Sequence, residues 1–455
     1  MLLLLLSVLA VAAAVAWLVP WAAIAFVVNG SVVYYATLNL LNATPSAQLT
    51  GAILGVPAGV AALRLMTRPG AASRVARNPS FYLFSIFALI WFARWLIDPA
   101  PSTGFGGRAL AYMFVFAILP FISGLLIRES EVRAALSWLF GFGAAGVVIM
   151  LAYWVSGAPT LSTNFTGRWE PIPYVAGGVI ALDLGVACLS LFALFPTSRT
   201  ILAAFSGLLT LLVVAIDVRL GSRGSFLLLL ASLIGSIAIV FKRAGVREAV
   251  IRAAGLLLVV GLAYGLAAPT AGVAPPPVPS SSPVAAGATR EPSATDAPPR
   301  VAQAETYLSP QDPSTKERLE ILEAALGFIA EKPIFGWGGG LVGRDVNGHL
   351  WDYAHNTLLD PLVETGVIGA VPYWTLFVLV TLSLVTTLRR KTPIANTILP
   401  FLPLLAFVFL QSLISGHIAN SRHMWLLVGI TCALVIAPLT WKPGRDALRP
   451  RPGGD

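Results

Sequence analysis

Apolar residues fill most of this chain in blocks about as long as a bilayer is thick. They lie near 2–28, 47–66, 80–97, 108–127, 134–156, 173–195, 200–217, 224–241, 253–269, 365–388, 397–414 and 424–440. About 20 apolar residues carry a helix across the hydrocarbon layer, so the pattern predicts twelve membrane-spanning helices. The first block is the weakest, because Pro20 divides it. The alternative there is two short helices, thirteen spans and an external N-terminus. The predicted fold class is an all-α polytopic membrane protein with one large, partly helical periplasmic loop.

That loop breaks the rhythm. Residues 1–270 hold the first nine spans, 365–440 the last three, and 441–455 a cytoplasmic tail. Between them, 271–300 is rich in Pro, Ala and Ser and reads as a disordered linker. The segment 301–364 reads as ordered. Within it Ser314 and Glu317 fit a capping box, and a helix is expected to run to about Glu331, ending before Pro333. Leu319, Leu322, Leu326 and Ile329 share one face at helical spacing, which predicts that this face packs on the membrane domain.

Composition supports the membrane reading. Charged residues are 11%, hydrophobic ones 57%, and mean hydropathy is +0.81, against about 25% charged residues in soluble domains. The net charge of +9 would suit a nucleic-acid partner if it clustered on one soluble face. Instead, eighteen of the 30 Lys and Arg fall in every second connection and in the tail. That bias places those connections in the cytoplasm. It makes membrane lipid, not nucleic acid, the natural partner, and it puts the long loop outside. Residues 1–18 lack a basic start and read as a first span rather than a signal peptide. Cys188 and Cys432 lie inside apolar blocks and read as packing residues.

Candidate chemistry collects on the outer side. Arg318 falls in the first turn of the loop helix, where a cation opposes the helix dipole. It either holds an anion or pairs with Glu317 or Glu320. Phe335-Gly336-Trp337-Gly338-Gly339-Gly340 is a turn or a close-approach site, and no Walker motif follows it. The four histidines, His349, His355, His417 and His423, all lie outside in this topology. Imidazole is the side chain best suited to accept a proton near neutral pH, although a single histidine is commonly just a hydrogen-bonding residue. Spacing gives no support for zinc or any other metal, and no cofactor is expected. Arg219 and Arg223 sit in a short turn between very apolar blocks, where an arginine needs a partner or a function. Two arginines and a histidine beside the interface suit a lipid-linked diphosphate, because guanidinium grips phosphate oxygens in pairs.

The ordered motifs Gly221-Ser222-Arg223-Gly224-Ser225, Lys332-Pro333-Ile334-Phe335-Gly336-Trp337-Gly338 after the Arg318 helix, Ala354-His355-Asn356-Thr357-Leu358-Leu359 with Glu364-Thr365-Gly366-Val367-Ile368-Gly369, and Ser421-Arg422-His423-Met424-Trp425 resemble the O-antigen ligase and O-antigen polymerase superfamily. They cover about residues 200–440. The resemblance implies a glycosyltransferase in the bacterial inner membrane with its site facing the periplasm. Its donor would be an undecaprenyl-diphosphate-linked glycan, and its acceptor a hydroxyl on lipid A–core or on another glycan. It implies diphosphate binding by Arg223 and Arg318, activation or orientation of the acceptor by His355, and support from Arg219, Trp337, Asn356 and Arg422. The Pro-rich segment 271–300 departs from the family pattern. The rival readings are a transporter or flippase of lipid-linked saccharides, which would need charged residues lining a path, and a membrane scaffold.

Overall fold

The computed structural model describes residues 2–44, 46–97, 110–157, 171–172, 176–195, 200–267, 313–338, 344–346, 349–351, 354–390, 392–419 and 421–436. The expected linker at 271–300 lies outside them. Helices α1 (Leu2–Leu18), α2 (Pro20–Asn29) and α3 (Ser31–Leu40) open the chain. They are followed by α4 (Ala47–Thr50), α5 (Val56–Met66), α6 (Ala71–Ala76), α7 (Pro79–Ile97) and α8 (Leu119–Leu125). The bundle continues with α9 (Val132–Val155), α10 (Gly177–Leu194), α11 (Thr200–Leu220), α12 (Arg223–Ala244) and α13 (Val246–Ala267). After the loop helix α14 (Pro313–Glu331) comes an antiparallel hairpin, β1 (Arg344–Val346) with β2 (His349–Trp351). The chain ends with α15 (Asp360–Arg389), α16 (Pro393–Ile398), α17 (Leu402–Ser415) and α18 (Arg422–Val435).

Six described helical stretches are long and apolar enough to cross a membrane, or seven if one bent pair counts as a span. Several other apolar blocks of the sequence are broken rather than straight. The first is bent by 116° between α1 and α2, at Pro20, which opens α2. Two more contain π-helical turns, Gly51–Gly55 and Met113–Ile118. Each turn ends just before a proline, Pro57 or Pro120. A proline in a helix has no N–H to donate and crowds the carbonyl four residues back, so the preceding turn widens into a π-bulge.

The core is aromatic where α7, α8, α15 and α18 meet. Trp425 is fully buried. Its ring centroid lies 4.8 Å from that of Phe84 and 5.8 Å from that of Tyr373. Its indole N–H donates to the Ile418 carbonyl at 2.7 Å, so the large ring is packed without stranding its polar atom. Cys188 and Cys432 are buried free thiols.

The loop helix is present and ends at Glu331 as the pattern predicts, but it starts at Pro313, so Ser314 lies inside the helix and not at its N-cap. Its buried face also departs from the pattern. Ile321 and Ala325 are buried, and Phe328 and Ile329 pack with Ala325 against Ala354, Val363, Trp337 and Leu359. The predicted stripe keeps only Ile329 in that contact. Leu319, Leu322 and Leu326 are 53%, 40% and 53% exposed. The leucine spacing was real, but a different and mixed set of side chains is turned to the protein. The side chains of Ser314 and Glu317, the expected capping box, lie outside the described set.

Candidate active site

The turn after α14 is stitched to a kink in α15. Backbone N–H groups of Trp337 and Gly338 donate to the carbonyls of Val363 and Glu364 at 2.8 and 3.0 Å. Those of Val367 and Ile368 donate to Pro333 and Ile334 at 2.9 and 3.4 Å. Gly366 sits at φ 61°, ψ −165° inside α15 and Gly336 at φ 66°. A Cβ on Gly366 would run into the Ile334 carbonyl, and one on Gly336 into the Glu364 carbonyl. The two glycine motifs of the sequence are therefore one interlocked unit, a close-approach site and more than a plain turn. Arg94 of α7 adds a bond to the Gly336 carbonyl at 3.2 Å. Gly366→Ala is expected to cost about 2–4 kcal/mol, from left-handed strain plus overpacking. A thermal-melt comparison of the detergent-solubilised variants checks it.

Between the two halves of this interlock, the chain is clamped again. His355 has φ 53°, a left-handed conformation that few non-glycine residues adopt and that marks sites where surroundings override local preference. The surroundings are plain. Asp360 Oδ1 accepts from the Ala354 N–H at 3.1 Å while its Oδ2 accepts from the Ile418 N–H at 3.2 Å. Asn356 Oδ1 accepts from Leu358 and Leu359 N–H at 2.9 and 3.3 Å. Thr357 is bonded to Ser412 through both backbone and side chain. His355 is half-buried, and its imidazole is pushed down to about 4, first by burial and then by the electrostatic influence of Arg318 and His417. It is therefore a neutral base at physiological pH, within the influence of the Arg318 cation.

Beneath His355 lies a buried pair that the sequence reading did not single out. His417 Nε2 is 2.8 Å from Glu364 Oε1, and the Trp91 indole N–H donates to Glu364 Oε2. The Ala419 N–H donates to His417 Nδ1 at 3.2 Å, so the proton sits on Nε2 and points at the carboxylate. Asp360 and Glu364 are one helical turn apart at the start of α15, where acidic groups suit the helix dipole. Two acids at the edge of the 365–388 apolar block were the signal that could have exposed them, since acidic groups next to a span are kept only when partnered.

Residues 208–374 match the family model for the O-antigen ligase. The resemblance to the O-antigen ligase superfamily holds over this stretch. No curated protein matches the chain. The matched segment contains Arg219, Arg223, Arg318, Trp337, His355 and Asn356, and it ends within α15.

Of these positions, Arg318 lies near enough to His355 for its charge to lower the imidazole's pKa. Arg318 is exposed on the loop helix. Arg223 opens α12, but its side chain lies outside the described set. Arg219 stacks on the Trp154 ring with its guanidinium carbon 4.9 Å from the centroid. Trp337 donates to the Phe328 carbonyl at 2.7 Å and carries Lys332 Nζ over its face at 3.8 Å, so it fastens the loop helix to the turn. Asn356 is engaged in shaping the His355 segment. Arg422, beyond the family match, is buried and engaged with Ser31 and, at 3.5 Å, with Asp183. Its neighbour His423 Nε2 lies 3.0 Å from Asn29 Oδ1 and 3.2 Å from Asp183 Oδ1. These contacts join α18 to α10 and to the α2–α3 break, which makes Arg422 a bundle-holding residue in this structure.

Proposed function

We propose that the protein is a membrane glycosyltransferase of ligase or polymerase type. It moves a glycan from undecaprenyl diphosphate to an acceptor hydroxyl on the periplasmic face of the inner membrane. In this reading twelve spans carry the site, with the Asp360 end of α15 outside. The observation that supports the proposal is the left-handed His355, held by the Asp360, Asn356 and Thr357 bonds around it, within a segment matched by the O-antigen ligase family; Arg318 is near enough for its charge to help keep the imidazole neutral. The acceptor oxygen attacks the anomeric carbon as His355 takes its proton. The bond from that carbon to the diphosphate breaks, and the leaving diphosphate carries its negative charge to Arg318 and Arg223. The imidazolium then returns its proton to water. No nucleotide is consumed, because the donor bond is already activated.

The charge near His355 gives this reading a pH signature. The His355 imidazole, pushed down to about 4, keeps kcat/KM flat as pH falls and loses it only near that value, since kcat/KM titrates with the free enzyme. Arg318→Ala removes a cation that disfavours the protonated ring, so the residual activity is expected to fall away at a higher pH, nearer the ordinary 6.5. A pH series of single-turnover rates in proteoliposomes checks the direction. An unmoved acid limb would separate Arg318 from His355.

A flippase path would need charged residues inside the spans, and Arg94 and Asp183 are the ones that lie clearly within them. Arg94 bonds the Gly336 carbonyl and Asp183 accepts from the Ser31 N–H at 3.0 Å. Both are engaged in joining structural elements.

A further inference from the structure

The loop helix α14 presents three different surfaces. At about 100° per residue, Ile321, Ala325, Phe328 and Ile329 occupy one arc, and these are the side chains turned to the protein. Leu319, Leu322 and Leu326 occupy the next arc and are exposed. Lys316, Glu320 and Glu323 occupy the arc beyond, with Lys316 and Glu320 paired at 3.8 Å. A soluble helix needs only two faces, one apolar and buried, one polar and wet. A third face of uncovered leucines between the two is the pattern of a helix lying at a bilayer surface.

What lies next to that face is also on the molecule. One turn beyond α14, Ile334 and Phe335 are exposed, 57% and 59%. Their segment is tied by backbone bonds to Val367 and Ile368 of α15, which are exposed as well. Farther along this membrane-length helix Val371, Val378, Leu382 and Val385 continue the uncovered apolar side. The lipid-facing side of α15 thus runs without interruption into the turn that holds α14.

We infer that α14 is an interfacial helix whose Leu319, Leu322 and Leu326 face sits in the bilayer, with Ile334 and Phe335 as its anchor at the rim of α15. The occupant of the leucine face is lipid acyl chain, and the Lys316–Glu320 side faces water. Arg318 falls on the arc of Ala325 and Ile329, beside Leu322, so its exposed guanidinium stands at headgroup depth, where phosphate groups lie. The inference rests on the membrane reading and stands whether or not glycan transfer occurs.

Spin labels on the full-length protein in vesicles of phosphatidylethanolamine and phosphatidylglycerol test it. The variants are Leu322→Cys, Leu326→Cys and Lys316→Cys. Cys188 and Cys432 are buried, and the unsubstituted protein, taken through the same labelling, reports any background. The expected result is a ratio of oxygen to nickel-chelate collision rates several-fold higher at 322 and 326 than at 316. Nickel access at 322 and 326 equal to that at 316 would overturn it, because the face would then be in water. Shielding of both positions from oxygen and nickel alike would also overturn it, because protein, a second copy included, would then cover the leucines.

Discussion

His355→Ala lowers the rate of glycan transfer by about 10²–10⁴-fold, the usual contribution of a positioned general base, with the protein still inserted and present at its normal level. The loss falls on kcat, since the imidazole takes its proton in the transition state and contributes little to holding the donor. His355→Ala also removes a β-carbon-bearing polar ring from a left-handed position. His355→Asn is therefore the informative companion. Asparagine tolerates φ near 53° and restores the backbone but not the base, so its rate stays as low as that of alanine. Recovery in the asparagine variant would move His355 from chemistry to backbone shape. Rates come from single-turnover transfer in proteoliposomes, and protein level from quantitative immunoblots of the same membranes.

Glu364→Ala acts on the same site from below, through stability. It strands two buried donors, His417 Nε2–H and the Trp91 indole N–H. Each unsatisfied buried donor costs about 1–3 kcal/mol, so the loss is about 2–6 kcal/mol in all. Because the pair ties α7 and α15 to the segment before α18, its loss should also loosen the strand of chain that Asp360 clamps between Ala354 and Ile418. Glu364→Gln retains one acceptor and should lose roughly half as much. Thermal unfolding of both purified variants measures the difference. Equal melting for wild type and Glu364→Ala would show that the pair carries no stability.

How legible was this in the sequence? Membrane helices were, because bilayer thickness imposes a length on apolar blocks that few other environments impose. Breaks inside the blocks were partly so. Pro20 announced the first, whereas the π turns before Pro57 and Pro120 left no mark in hydropathy, which does not register backbone hydrogen-bond spacing. The site was legible as residue types: Arg318 and His355 stood out because charge and imidazole are rare here. Their support was not. Glu364 and Asp360 looked like the polar edge of a span, and only the fold shows one holding His417 and the other bridging two loops. The leucine stripe of α14 misled about packing, since periodicity identifies an apolar face without saying whether protein or lipid covers it. Arg422 resembled a family position, but its distance in sequence from Asp183 and Ser31 hid the partners that now engage it.

The central claim is that the protein breaks the donor's bond to diphosphate and makes a new glycosidic bond. Purified protein in vesicles, supplied with undecaprenyl-diphosphate-linked glycan and an acceptor on the side of the Asp360 end of α15, without nucleotide or ion gradient, tests it most directly by mass analysis of both lipids. The account predicts free undecaprenyl diphosphate appearing in step with glycosylated acceptor, and neither with His355→Ala. Donor that crosses the bilayer with its glycan still attached, and no free undecaprenyl diphosphate, would contradict it.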